Sequence, residues 1–391
     1  MRSLRREMQV ARSGMLRTIA FTALACGGWS FVSAQDALQS VVVRSKTAES
    51  APINAGLDNG MGVIHLEPLP GSIERPVITA MIVSKDGRFI AAAGDDHAIR
   101  LVSLQDRRVM SVWTGHVDWV RSIAFSDDGQ RIASCANDGS IRIWDTQSMK
   151  QLHDARVPHA LNALTFTDAN TVYAVGFSNN IYRLDLGTNL ISIDHSSDCS
   201  DLRAIVLSPN RKHLAYAGRD GILRVQLFGA DAKTAWASSP VHFNRVRSIQ
   251  FSDDSSTITT VGEDRRIVHF DVETKGVVGQ TEVKGGKLMG LIPLAPDQFA
   301  VAGADNTIRI VGWNDSIPQT KLVGHDGSVC VLQRTDKFLI SAGFDTTIRI
   351  WDLERARTER DRDGRYLHPV AAQFEDAAAS TPSSFVSTPI Q

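Results

Sequence analysis

Cysteine is scarce in this chain, four among 391 residues, and no two of them stand as CxxC or CxxCH. That removes thiolate metal clusters, dithiol redox pairs and covalent haem attachment from consideration. Histidine reaches 11 residues, but HExxH is absent, and His153 and His159 are too far apart for a local metal pair. There is no GxSxG nucleophile elbow. Gly285-Gly286-Lys287-Leu288 imitates a phosphate loop only superficially, because Thr281 stands at the first Gly position and Leu288 replaces Ser or Thr. The expectation is therefore no cofactor, no metal and no catalytic residue.

An excess of either charge is missing too, with 42 Lys and Arg against 43 Asp and Glu. Without residues 1–34 the balance becomes 37 against 42, mildly acidic. That is a poor basis for nucleic-acid binding, which needs a concentrated cationic surface. A membrane span is equally poorly supported. The apolar stretch Ile19–Ala34 is 16 residues long and contains Gly27 and Gly28, short for a bilayer core. Arg2, Arg5, Arg6, Arg12 and Arg17 precede it, and Val32-Ser33-Ala34 closes it before Gln35. This pattern predicts a cleaved signal peptide over 1–34 and an exported, periplasmic or secreted, protein. A retained anchor and a lipid-modified Cys26 are the alternatives.

What the chain does have is a repeat. CANDGSIRIWD ends at Trp144-Asp145 and AGFDTTIRIWD at Trp351-Asp352, with five weaker copies elsewhere. The turn position falls at Asp96, Asp138, Ser178, Asp220, Asp264, Asp305 and Asp345, in steps of 42, 40, 42, 44, 41 and 40. Each unit alternates with period two and carries hairpin signals, such as Asp128-Gly129 and Asp138-Gly139. A period near 40 with Trp-Asp at its end marks four strands per propeller blade. On these residues the chain resembles the WD-repeat β-propeller family. The resemblance implies an all-β fold, a seven-bladed propeller of four-stranded antiparallel blades.

The units run over about 77–114, 115–157, 158–197, 198–241, 242–283, 284–323 and 324–353. The seventh reaches Trp351-Asp352 and then turns into charged sequence, so it lacks an outer strand. Upstream, 62–69 is apolar and strand-like, and we expect it to supply that strand, as WD-repeat propellers usually close. It would also cover a free sheet edge. Residues 35–61 are rich in Ser, Ala, Asn and Gly without a sustained period, 354–365 are a charge cluster and 370–391 hold few large apolar groups, so the two ends read as a flexible linker and a disordered tail.

Two units carry a complete polar tetrad resembling that of the family: His116, Ser134, Asp138 and Trp144, and His325, Ser341, Asp345 and Trp351. His242, Thr260 and Asp264 form a partial set, with Phe270 where Trp would stand. The third unit departs further, with His159 but Ser178 and Leu184, and the first, fourth and sixth have no convincing His. Ser, His and Asp together invite a hydrolase reading, but their recurrence at repeat positions marks them as architectural, each network satisfying its own buried polar groups. The recurring Arg100, Arg142, Arg224, Arg309 and Arg349 read as solvated or inter-blade side chains. Cys135 and Cys330 read as small buried hydrophobes.

In the family, partner-binding residues gather at the start of the innermost strand and just before the turn Asp. Carried onto this sequence, the first set is Thr79, Arg121, Asn162, Arg203, Arg247, Met289 and Cys330. The second is Asp95, Asn137, Phe177, Arg219, Glu263, Ala304 and Phe344, with Trp119 beside them. Trp and Arg are enriched in binding hot spots, and four arginines favour an acidic segment. The reading is a non-catalytic, exported scaffold binding a peptide or protein at the channel mouth, with no nucleic-acid partner and no membrane span after signal cleavage. The alternatives are a propeller enzyme, hydrolase or oxidoreductase, and a cytoplasmic scaffold with a misread N-terminus.

Overall fold

The structure, a computed structural model, describes residues 62–228, 236–312 and 320–354 and the backbone of Arg365–Tyr366. The stretches expected as signal peptide (1–34) and linker (35–61), and the tail apart from 354 and these two residues, lie outside the described residues. Seven antiparallel sheets follow one another along the chain. Their innermost strands are Ile78–Val83, Val120–Phe125, Leu161–Asp168, Leu202–Leu207, Val246–Phe251, Leu288–Ala295 and Val329–Arg334. These lie side by side in a ring, the first against the seventh. The blades are numbered 1 to 7 in that order.

Alternation explains the packing. Along Arg131–Ala136 and Ser140–Asp145 nearly every residue is buried, because a middle strand has a neighbouring blade on both faces. The outer strand Gln151–Arg156 is mostly exposed. Each core cluster accordingly joins two blades: Ile99, Leu101 and Trp113 of blade 1 pack with Val120, Ile132 and Trp144 of blade 2. A blade alone would leave such a face wet, so the ring is the smallest stable unit.

Closure is by the N-terminal strand. Val63–His65 pairs antiparallel with Thr347–Asp352, with Ile64 opposite Ile348. Ile64 and Leu66 then enter the core shared by blades 7 and 1, with Ile90, Ile340 and Ile348. One difference from expectation lies in the tail. Arg365–Tyr366 pairs in parallel with Lys321–Leu322 and gives blade 6 a fifth strand. The outer strand of blade 6, Thr320–Leu322, is short, which leaves an open edge for the returning chain to cover.

Two backbone devices shape the channel mouth. The second strand of six blades ends in Gly, at Gly94, Gly176, Gly218, Gly262, Gly303 and Gly343; blade 2 has Ala136. A Cβ on Gly94 or Gly303 would collide with the carbonyl of Val77 or Lys287. The following amide closes onto the residue before the innermost strand: Asp95 onto Val77, Phe177 onto Ala160, Glu263 onto Arg245, and in blade 2 Asn137 onto Trp119 even behind Ala136. The second device is a β-bulge in every blade, at the second residue of the innermost strand. The extra residues are Thr79, Arg121, Asn162, Arg203, Arg247, Met289 and Cys330. A bulge re-aims its side chain out of the alternating pattern.

Candidate functional site

The Ser/His/Asp sets are inside the blades. In blade 7 the His325 Nδ1 lies 2.8 Å from Asp345 Oδ2, so Nδ1–H donates and Nε2 accepts from Ser341 Oγ at 2.7 Å. Trp351 Nε1 donates to the same Oγ at 2.8 Å. Blade 2 repeats the chain, with His116 Nε2 2.7 Å from Ser134 Oγ and Trp144 Nε1 3.0 Å from it. There a residue not singled out in the sequence intervenes. Ser140 Oγ donates to Asp138 at 2.6 Å and accepts from His116 Nδ1 at 2.8 Å. Blade 5 uses His242, Thr260 and Asp264, with His242 2.8 Å from Thr260 Oγ1 and 2.9 Å from Asp264 Oδ1. Ser134 and Ser341 are 0% exposed, so neither hydroxyl can meet a substrate.

Electrostatics follow from this wiring. Burial opposes ionisation of Asp345, but hydrogen bonds from His325, Thr347 and the Asp326 amide outweigh it and hold its pKa at about 2. Asp138 is held still further below the carboxylate range, by His116, Ser140 and the Val117 amide against the same burial. These carboxylates are permanent acceptors, not acids.

The blades without histidine show their strand arginines to be neither solvated nor reaching only between blades, for each holds its own turn Asp. Arg100 is 2% exposed and lies 2.6 Å from Asp96. Arg224 and Arg309 are each 2.5 Å from Asp220 and Asp305. In blades 1, 4 and 6, then, the arginine four residues beyond the turn Asp supplies the side-chain donor to that Asp, the part that His plays in blades 5 and 7 and that His116 with Ser140 plays in blade 2. Blade 3 keeps a loop His but has Ser178 at the turn; Tyr182 stands at the arginine position, its hydroxyl 3.3 Å from both Ser178 Oγ and His159 Nδ1.

The channel mouth is where exposed chemistry gathers, and the bulge residues divide by size. Thr79, Asn162 and Cys330 each donate to the first innermost carbonyl of the next blade, at Val120, Leu202 and Ile78. They staple the ring, and Asn162, half-buried, also accepts from Arg203 through its Oδ1. Burial pushes the Cys330 thiol up to about 12, so it is neither a thiolate nor a nucleophile. Met289 is half-buried. The longer Arg121, Arg203 and Arg247 reach past the staples.

Each of these arginines has its own surroundings. Arg203 lies 2.6 Å from Asp201, donates to Asn162 Oδ1 at 3.2 Å and stands 4.3 Å over the Phe177 ring. Arg121 donates Nε to Asn137 Oδ1 at 2.9 Å and stands 4.8 Å over Trp119. Arg247 is 3.6 Å from Glu263, which also faces Arg245 at 3.9 Å and Lys287 at 3.0 Å. Arg219 is exposed. Around them stand half-exposed aromatic side chains: Trp119, Phe177 and Phe344, at 37%, 44% and 41%. Phe243, the most exposed at 78%, was missed in the sequence. It follows the tetrad His242, its amide donates to Asp264, and Arg266 lies 3.9 Å over its ring. Its signal was available as an apolar residue directly after the loop His, where blade 2 has the exposed Val117.

Seven bladed sheets, tetrads of this wiring and a strand exchanged across the closure define a class, the WD-repeat propellers. The family model "WD domain, G-beta repeat" matches residues 66–103, 107–145, 237–271 and 316–352, and the chain belongs to the WD-repeat β-propeller family. The unmatched stretches cover blades 3, 4 and 6, in which the turn Asp or the His and Trp have been replaced. Apoptotic protease-activating factor 1 of Danio rerio is 24% identical over 273 residues, covering 70% of this chain and 18% of that protein. Pre-mRNA-processing factor 17 of Mus musculus is 22% identical over 281 residues, 68% of this chain and 48% of its own length. A U3 small nucleolar RNA-associated protein 21 homolog of Schizosaccharomyces pombe is 30% identical over 120 residues, 31% of this chain and 13% of its own. The chain thus spans less than half the length of each of these relatives. Among the described residues no helix is long and apolar enough to cross a membrane.

Proposed function

We propose that this chain is a non-catalytic protein-interaction scaffold that holds a peptide or protein segment, with acidic residues, on its channel-mouth face. The observation that supports this reading is the aromatic rim, Trp119, Phe177, Phe243 and Phe344, exposed around guanidinium groups stacked on three of its rings. Large apolar side chains do not gather on an idle surface without an energetic reason, and Trp with Arg is the pairing that dominates interface energy. A protein partner fits better than nucleic acid, because Arg203, Arg245 and Arg247 already face Asp201 or Glu263 and are not a free cationic track. We also propose export, supported by the arginine-rich, apolar and small-residue order of 1–34; an N-terminal sequence beginning at Gln35 is the expected result.

The test is a cross-linked pull-down from the native host, comparing wild type with Trp119→Ala/Phe243→Ala. Both side chains are on the surface, so the variant keeps the wild-type melting temperature. Loss of a partner in the variant alone is the expected result; identical partners in both would overturn the assignment of this face.

A further inference from the structure

We propose that the outer edge of blade 6, Thr320–Leu322, is a strand-addition site that takes an extended peptide segment in parallel. The chain's own Arg365–Tyr366 is its resident, held weakly enough to be released. The site lies at the periphery of the ring, apart from the channel mouth, and stands whether or not that face binds a partner.

The edge is a firm template. Thr320–Leu322 pairs on its inner side with Ile308–Gly312, and its outer row of amides and carbonyls faces away from the blade, ready to take a further strand. Thr320 and Leu322 are buried, which pins the strand and keeps that row in place. The chain also arrives beside it. Leu353, directly after the last strand of blade 7, packs against the core cluster that contains Ile308, Ile310 and Leu322. Arg365–Tyr366 then runs in the same direction as Lys321–Leu322, with Arg365 opposite Lys321 and Tyr366 opposite Leu322.

The hold on that segment is weak by construction. Its ladder has two rungs, whereas the closing strand Val63–His65 has three and sends Ile64 into a core. Parallel pairing is slightly less stable per residue than antiparallel pairing. One of the two rungs has Lys on one strand and Arg on the other, and like charges on facing positions oppose pairing. What keeps the segment in place is its tether, which holds it at a high effective concentration beside the edge. Recognition of this kind runs through the backbone, so a free segment of the same sequence takes the edge once the tethered copy is off.

The test uses the full chain, wild type against Arg365→Pro/Tyr366→Pro, which removes both amides and cannot form the ladder. Both residues lie outside the repeat blades, so the variant is expected to melt close to wild type. Hydrogen exchange is followed at the amides from Thr320 to Val323, where the variant is expected to lose about fivefold in protection. A synthetic peptide of residues 361–370 is then titrated into the millimolar range that the tether supplies, with the same amides read by NMR. It is expected to bind the variant about fivefold tighter than wild type, the two factors agreeing because each reports how often the tethered strand is off. Lys321→Glu makes the rung complementary and is expected to raise protection about threefold. Added salt should raise protection in wild type, by screening the like charges, and lower it in Lys321→Glu. Unchanged exchange in the proline variant, or a peptide that shifts none of these amides in it, would overturn the site; equal peptide affinity for both chains would overturn the resident. Should the proline variant fold poorly, Lys321→Glu decides alone, and protection equal to or below wild type overturns the proposal.

Discussion

Arg309 holds Asp305 across a single turn, Nη2 2.5 Å from Oδ2, in the place that histidine serves in the neighbouring blades 5 and 7. Burial opposes the Asp305 charge, and Arg309 outweighs it and keeps the carboxyl below its ordinary range. Removing the arginine leaves a mostly buried anion unpaired. Arg309→Leu is expected to cost about 2–3 kcal/mol, less than for a fully buried pair because Asp305 keeps some contact with water. Arg142→Leu, in blade 2, is expected to cost under about 1 kcal/mol, because Asp138 keeps His116 and Ser140. Urea unfolding at neutral pH compares the two; equal losses would mean that arginine does not replace histidine.

Acid should unlock the histidine blades. Asp345 has its folded pKa lowered from 3.8 to about 2. A depressed carboxylate stabilises the fold above its unfolded pKa, and that contribution is lost as pH falls from about 4 towards 2. For Asp345 it amounts to about 2 kcal/mol. Asp345→Asn is therefore less stable than wild type at pH 7, and the gap narrows towards pH 2. Melting curves across that range check it; a constant gap would refute the linkage.

Ser140 shows what the repeat pattern could not reveal. The spacing picked out His116, Ser134, Asp138 and Trp144, and the structure wires all four together. The hydroxyl between His116 and Asp138 sits two residues past the turn, at a position that reads as an ordinary strand Ser. Ser140→Ala strips the His116 Nδ1–H of its close acceptor and is expected to cost about 1–3 kcal/mol, read from the same unfolding curves.

The legible and illegible parts of this chain divide by range. Steps of 40 to 44 residues and alternating apolar runs disclosed the blades, and the missing outer strand of the seventh pointed to 62–69. Those are local patterns. Alternation put Arg100, Arg224 and Arg309 on one sheet face but could not say that each folds back onto its own turn Asp. The bulges were hidden because an inserted residue leaves no mark in a strand of mixed polarity: Arg121 and Asn162 look alike in sequence, yet one reaches the mouth and the other staples to Leu202. Arg365–Tyr366 lies in a stretch too polar to be read as a strand, yet its backbone pairs with Lys321–Leu322.

Salt separates the two kinds of contact at the mouth. If acidic residues of the partner meet Arg121 and Arg219, affinity should fall as ionic strength rises from about 0.05 to 0.5 M, because the Debye length shrinks to a few ångström. The contribution of Phe243, being apolar, should persist, so Phe243→Ala should cost the same factor at both salts. Affinity indifferent to salt would remove the acidic component and leave the aromatic rim.

Ile64 tests the closure. It lies opposite Ile348 and is buried at the seam of blades 7 and 1. Ile64→Asp puts an unpaired carboxylate into that seam and removes the apolar contact, worth about 1.5–3 kcal/mol by itself. Its backbone pairing can persist only by burying the charge, so the strand is expected to detach and expose the edge of Thr347–Asp352. Such an edge recruits other chains. The variant should therefore melt well below wild type and aggregate with a concentration-dependent onset, whereas Ile64→Val should cost only about 1 kcal/mol. Light scattering during thermal unfolding distinguishes them. A monomeric Ile64→Asp melting like wild type would show that the ring closes without its first strand.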